Sequence, residues 1–247
     1  MPDPLKLLFI GNSQTSWHNL PFLFQSLVEA QSPGRRFEVS KATVNGASLE
    51  YHWNRPNTAT TIRRKSWHFV ILQETTWRPI RDLAKTEFFL SLFDAVIRSC
   101  GARTVLYAMW LPGRPAAEQV AIAEIYAKLT EGRDIALAPI ATAVALSLEQ
   151  RPDLSLDDSQ HPTLIGSYLA ASVLTSLFMG PNSNLIPCSR LVHGPTGRVL
   201  CDIAPDDAVY LTQIAQTATA ACPSMTGLGN HPQIANPIAQ PTPLGWR

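Results

Sequence analysis

The sequence predicts an α/β protein built around one parallel sheet of about five strands, with helices on both faces. Three observations predict it. Apolar runs of strand length alternate with segments of helical period over most of the chain. A helix between two strands favours parallel pairing, because it carries the chain back across the sheet. The 247 residues are 45% hydrophobic, which is enough to bury one sizeable core.

The first three strands are predicted from short runs in the first third of the chain. Residues 5–10 and 67–72 are almost wholly apolar, which is typical of strands buried on both faces. Residues 37–44 are rich in β-formers and partly alternate. Between the first two strands, residues 21–31 place apolar side chains on roughly one helical face, so we expect a helix there.

The same alternation continues to about residue 179. Strand-length apolar runs and apolar residues at helical spacing follow one another, with glycine or proline at several of the boundaries. The predicted strands are residues 104–109 and 135–140. The predicted helices are residues 88–97, residues 115–129, a segment ending near 148 and, after a polar loop, a helix from His161-Pro162 to about 179.

We expect one domain in three parts. Residues 1–181 hold the α/β core. Residues 182–222 add a hairpin over 192–202 and a helix that opens at Pro205, both packed on the same domain. Residues 223–247 are rich in Pro, Gly and Asn, which predicts an extended tail.

Charge and hydropathy argue against several classes of function. Twenty Lys and Arg face nineteen Asp and Glu, and this net charge of +1 argues against a nucleic-acid binder. No apolar run approaches the roughly 18–20 residues of a membrane span. The first residues lack the pattern of a signal peptide, so we expect a cytoplasmic protein, or a secreted or periplasmic one if a leader has been removed.

No metal ion or cofactor is predicted. The four cysteines form no Cys-x-x-Cys pair, the histidines are not spaced as metal ligands, and no nucleotide-binding glycine motif occurs. We expect buried free thiols. A disulfide between Cys188 and Cys201, which bracket the predicted hairpin, is the alternative.

Polar residues follow successive strands, at the ends where parallel sheets bind their ligands. Ser13, Gly46 and Gln73 come after the first three strands, and Asp158 and His161 precede the last long helix of the core. A serine hydroxyl needs a neighbouring base, which histidine supplies, and a carboxylate holds the imidazole in the required tautomer. Backbone N–H groups and a side-chain amide can stabilise the oxyanion. These are the parts of an acyl-transfer site.

Several of these residues have a second interpretation. Ser13 precedes a helix, and serine is a favoured N-cap. Asp157 is a rival to Asp158 as the orienting acid. Gly46 follows Asn45, a pair that is also common in simple turns.

The segment Gly11-Asn12-Ser13-Gln14-Thr15, Gly46 and the pair Asp158-x-x-His161 resemble the SGNH/GDSL hydrolase superfamily, as a divergent branch. The resemblance covers residues 5 to about 180. It implies a flavodoxin-like, three-layer α/β/α sandwich and a serine esterase without a cofactor. It implies Ser13 as the nucleophile, His161 as the base and Asp158 as the acid that orients the base. The implied oxyanion donors include the backbone N–H groups of Ser13 and Gly46.

Two positions depart from the family's pattern. The family places an asparagine amide in its third block, where this chain has Gln73. The Gln73 amide extends one methylene further and is the expected third oxyanion donor; the alternative is that it only organises its loop. Asn12 stands where the family has an aspartate, and it is expected to keep the hydrogen bonds of the turn.

The predicted function is hydrolysis of an ester through an acyl-serine intermediate, with a short acyl group on a carbohydrate as one candidate substrate. Acyl transfer at the same site, and carbohydrate binding without catalysis, are the alternatives. Trp77 and Trp110 lie on strand-end loops and are predicted to form a substrate wall, unless they belong to the core. Arg78 and Arg81 are either solvated charges or ligands of an acidic substrate.

Overall fold

The structure is a computed structural model that describes residues 3–180 and 183–222. Its sheet consists of β1 (Leu5–Gly11), β2 (Phe37–Thr43), β3 (Phe69–Leu72), β4 (Arg103–Tyr107) and β5 (Ile135–Ala138). The strand order is β2-β1-β3-β4-β5, and every neighbouring pair is parallel. The boundaries lie within two residues of the predicted ones, and the predicted α/β fold is confirmed.

The helices form two groups. They are α1 (Ser13–Ser16), α2 (Leu20–Gln31), α3 (Leu49–Trp53), α4 (Pro56–Arg64), α5 (Arg78–Arg81), α6 (Leu83–Ser99), α7 (Ala116–Thr130), α8 (Ile140–Gln150), α9 (Leu164–Met179) and α10 (Pro205–Ala220), with a 3-10 turn at Trp17–Asn19. Helix α2 packs on α9 and α9 on α10, whereas α3 and α4 pack on α6. With the sheet between them, these groups make the predicted three-layer α/β/α sandwich.

The three interior strands, β1, β3 and β4, are the most deeply buried part of the sheet. In β3, and in β1 from Leu7 to Ile10, no residue is more than 1% exposed. The continuous apolar runs in the sequence result from this burial on both faces. Helix α9 is also buried along nearly its whole length. The carboxyl ends of the central strands, which lead to Ser13 and Gln73, are therefore held by a rigid core.

The start of α9 differs from the prediction in a way that affects the site. The helix begins at Leu164, because Thr163 is its N-cap and the Thr163 hydroxyl accepts a hydrogen bond from the backbone N–H of Gly166 at 3.2 Å. Pro162 forms a β-bridge with Asp157 instead of opening the helix. His161 therefore lies in a tight loop before α9.

Helices α3 and α4 are absent from the sequence prediction. Helix α4 buries only Thr58 and Ile62, so its sequence carries no apolar stripe of helical period. Helix α3 has five residues, too few for the period to be recognised. Both helices lie between β2 and β3, and the loop before α3 carries Gly46.

The C-terminal part adds the hairpin of β6 (Arg190–Val192) and β7 (Val199–Asp202), followed by α10, which packs on α8 and α9. Cys188 and Cys201 are not joined by a disulfide, so the alternative of a cross-linked hairpin is not supported. The tail predicted over 223–247 lies outside the described residues. Within the described ranges, no helix is both long enough and apolar enough to cross a membrane.

Candidate active site

Ser13 lies directly after β1, at the first position of α1. The N-cap of this helix is Asn12, whose side-chain oxygen accepts a hydrogen bond from the backbone N–H of Gln14 at 3.0 Å. Asn12 thus fills the capping role that serine residues often take, and it also donates to the carbonyl of Ala47 at 3.0 Å. The Ser13 hydroxyl is left available for another partner.

That partner is His161. Its Nε2 lies 3.1 Å from the Oγ of Ser13, although 148 residues separate the two in sequence. The loop that carries His161 is fastened to the serine turn by Gln14, whose amide donates to the carbonyl of Gln160 at 2.7 Å. The predicted serine–histidine pair is therefore brought to hydrogen-bonding distance.

Asp158 closes the loop around His161. Its Oδ1 accepts hydrogen bonds from the backbone N–H groups of His161 at 2.6 Å and of Gln160 at 2.9 Å. These two hydrogen bonds, in that order, hold the pKa of the Asp158 carboxyl below its usual range, and the charge of His161 adds to the effect. Asp158 is thus an ionised carboxylate beside the histidine at neutral pH.

Asp157 has a different set of partners. Its Oδ1 accepts from the backbone N–H groups of Gly113 and Ser159, each at 2.9 Å, and its Oδ2 accepts from the indole N–H of Trp110 at 3.2 Å. Both carboxylate oxygens of Asp157 therefore have partners, and they connect the loop that carries His161 to the segment between β4 and α7. This arrangement favours Asp158 over Asp157 as the acid that acts on His161.

Trp17 is a contact of His161 that the sequence pattern does not identify. The two rings are stacked, with centroids 4.5 Å apart and planes inclined by 15°. The next two residues, His18 and Asn19, have positive φ angles of 48° and 52°, a region that non-glycine residues seldom adopt. Burial lowers the pKa of His18, against a hydrogen bond to the Pro162 backbone that raises it. The contacts of Trp17 with His161 and of His18 with Pro162 thus hold this turn against the loop that carries His161.

The two residues predicted as backbone oxyanion donors lie at one cavity. Ser13 and Gly46 both line one cavity of about 600 Å³, and neither backbone N–H donates to another described residue. Gly46 has a φ of 69°, a conformation in which a side chain would be strained. The two predicted donors and the predicted nucleophile therefore border the same cavity.

The far side of this cavity is formed by the segment after β3. It consists of Thr75, Thr76, Trp77, Arg78, Arg81, Asp82 and Lys85. The Trp77 side chain is 39% exposed, as expected of a residue available to a ligand. Three of these residues are cationic, so the wall facing Ser13 is both aromatic and positively charged.

No protein-family model and no curated protein matches the chain, whereas solved structures do. A proposed SGNH hydrolase from Slackia heliotrinireducens is 24% identical, with a TM-score of 0.58 over 70% of this chain and 98% of that one. A DUF4886 family protein from Bacteroides uniformis is 18% identical, with a TM-score of 0.66 over 89% and 96%. The esterase EstA from Pseudoalteromonas sp. is 15% identical, with a TM-score of 0.50 over 68% and 92%. The chain has the fold of the SGNH hydrolases.

Within this SGNH fold, Gln73 is not placed as the predicted oxyanion donor. Its side chain is fully buried and does not line the cavity. Its Oε1 accepts from the backbone N–H of Asn12 and the hydroxyl of Thr15, both at 2.9 Å, and its Nε2 donates to the carbonyl of Glu74. These contacts match the alternative interpretation, in which the amide organises the turn that holds Ser13.

Trp110 is not part of the substrate wall either. Its side chain is completely buried, and its indole N–H is bonded to Asp157. The direction of a tryptophan that follows a strand depends on packing with distant parts of the chain, which the sequence pattern does not reveal. Of the two predicted wall residues, the structure places only Trp77 at the cavity.

Glu74 is a further residue that sequence reasoning does not identify. The carboxylate is 1% exposed, and burial raises its pKa, against hydrogen bonds from Thr75 and Leu49. It accepts from the backbone N–H of Leu49 at 3.2 Å and of Thr75 at 2.6 Å. Glu74 therefore ties the loop that carries Gly46 to the loop that carries Trp77. No cluster of three or more potential metal ligands occurs among the described residues.

Proposed function

We propose that this protein is a serine ester hydrolase in which Ser13 is the nucleophile and His161 the general base. The observation that supports this most directly is the 3.1 Å contact between Ser13 Oγ and His161 Nε2. Ser13 and Gly46 line the same cavity, and neither backbone N–H has a partner among the described residues. A serine with its histidine base and two candidate oxyanion donors therefore lie together at one cavity, as acyl transfer requires.

The reaction follows from this geometry. His161 Nε2 accepts the Ser13 proton while Oγ attacks the ester carbonyl, and the developing oxyanion is bound by the N–H groups of Ser13 and Gly46. Collapse of the tetrahedral intermediate expels the alcohol, which takes the proton from Nε2. A water molecule then attacks the acyl-serine and gives a proton to Nε2. The bond between the acyl carbon and Oγ breaks, Oγ takes that proton back from Nε2, and the acid is released. Asp158 stabilises the imidazolium formed in each half of the reaction.

The neighbouring structures and the open cavity support an ester substrate. Solved structures of similar fold include esterases, and one of them is described as inhibited by monoethylphosphonate. The exposed ring of Trp77 at the cavity suits the alcohol part of a carbohydrate ester, because aromatic faces stack on sugar rings. We therefore propose short acyl groups on a carbohydrate as the substrate class.

The test is covalent labelling with a fluorophosphonate, which reacts with an activated serine, combined with hydrolysis of p-nitrophenyl esters of increasing chain length. Ser13→Ala should abolish both labelling and hydrolysis, because only the attacking oxygen is lost. The control is Ser99→Ala, since that exposed hydroxyl bonds to the Val96 carbonyl of its own helix. Activity retained in Ser13→Ala would contradict the proposal and direct attention to Ser48.

A further inference from the structure

We propose that the ester substrate carries a carboxylate, and that Arg81 binds it on the wall formed by Trp77. This inference rests on the proposed esterase function and names the class of ester that the same cavity takes. It starts from the charges around the cavity, where three cations and one acid line the wall opposite the nucleophile.

Two of the three cations already have a partner. Arg78 donates to Oε2 of Glu50 at 2.8 Å, and Lys85 lies 3.3 Å from Oε1 of the same carboxylate. These two cations hold the pKa of Glu50 below its usual range, through the Arg78 hydrogen bond first. The single negative charge of Glu50 is therefore shared by Arg78 and Lys85, which leaves this wall of the cavity with a net positive charge.

The acid of the wall does not remove this excess. Asp82 is the N-cap of α6, and its Oδ1 accepts from the backbone N–H of Lys85 at 3.1 Å. A carboxylate at this position faces the positive end of the helix dipole, which partly offsets its charge. Asp82 forms no ion pair with Arg81 in the described part of the chain.

Arg81 is the cation without a carboxylate partner. Its guanidinium forms no ion pair with a described residue, and it lies 5.8 Å from the centroid of the Trp77 ring. The backbone N–H of Arg81 donates to the carbonyl of Trp77 at 3.0 Å, so one turn of α5 fixes the two side chains on the same surface. The guanidinium of Arg81 has five N–H donors and can bind a carboxylate in a bidentate manner. The exposed Trp77 ring beside it can pack against the rest of the substrate.

A neutral ester would leave this guanidinium without a partner, whereas a carboxylate would use its charge and its geometry. The surrounding charge adds to the attraction, because the cations that line the cavity outnumber its one acid, Asp82. The expected consequence is a preference for anionic esters that depends on Arg81 and weakens with salt.

The experiment compares O-acetylated glucuronic acid with its methyl ester, which is similar in size but uncharged. For the wild-type protein, kcat/KM for acetate release should be about five- to tenfold higher with the acid at low salt. Arg81→Gln should abolish this preference, because kcat/KM should fall much more with the acid than with the methyl ester. Arg36→Gln is the matched control, because Arg36 is an exposed arginine at the opposite end of the sheet, before β2.

A binding measurement separates this inference from the proposed function. Calorimetric titration of Ser13→Ala with the acetylated acid gives a dissociation constant without turnover, and adding Arg81→Gln should weaken it about five- to tenfold. Equal rates for acid and methyl ester, or a preference that survives Arg81→Gln, would overturn the inference while Ser13 remained the nucleophile. Loss of labelling and turnover with intact Arg81-dependent binding would instead overturn the esterase function alone.

Discussion

At the scale of single residues, two adjacent acids have separate environments. Asp158→Asn should lower kcat by at least about tenfold more than Asp157→Asn, because an amide cannot favour the imidazolium and can stabilise the wrong tautomer. Asp157→Asn should act mainly on stability, by about 1 kcal/mol, since its carboxylate holds backbone and indole N–H groups. The measurements are kcat with p-nitrophenyl acetate and unfolding in urea. Equal or reversed losses of kcat would show that the acid has been misidentified.

Trp17 allows a second test at this scale. Trp17→Ala should lower kcat about 10- to 100-fold with little change in KM, because the imidazole loses the ring that limits its orientations. Trp17→Phe should restore most of the rate, since a phenyl ring can stack in the same place. The melting temperature should change little because the indole is 41% exposed. A loss confined to KM, or no recovery with phenylalanine, would exclude this positioning role.

At the scale of elements, α9 closely approaches the loop that carries Asp158 and His161. A Cβ atom added to Gly166 would lie 1.9 Å from the carbonyl oxygen of Leu156, which comes two residues before Asp158 in that loop. Gly166→Ala should therefore displace the loop, lowering kcat at least about tenfold and stability by about 1–3 kcal/mol.

The control for this prediction lies on the same helix. Ala170→Gly should reduce stability by roughly 1 kcal/mol through helix propensity, with no displacement of the loop and therefore an unchanged kcat. The measurements are kcat and the free energy of unfolding for both variants. If kcat falls to the same extent in the two variants, or is normal in Gly166→Ala, the close approach does not control the site.

At the scale of the whole molecule, the sequence predicts the sheet better than the site. Four strands are recognised because burial on both faces leaves nearly continuous apolar runs. The edge strand β2 is recognised because its β-formers partly alternate. Ser13 is placed at the carboxyl edge of the sheet because it follows a buried strand, whereas its pairing with His161 rests on the resemblance of Asp158-x-x-His161 to the family's pattern. The environment of Gln73 is not, because its oxygen is taken by a backbone N–H 61 residues away. Trp77 and Trp110 look alike in sequence, and only the packing of the chain decides which one is exposed.

The contact between Ser13 and His161 has a consequence for the protein during its synthesis. Ser13 leaves the ribosome 148 residues before His161. At the usual 5–20 residues per second, this leaves the serine without its partner for roughly 7–30 s. His161 follows all five strands of the parallel sheet in the sequence, so the strands are synthesised before the loop that contacts Ser13. Under the proposed function, a nascent chain would carry an unreactive Ser13 hydroxyl until that loop is in place, and esterase activity would appear late in folding.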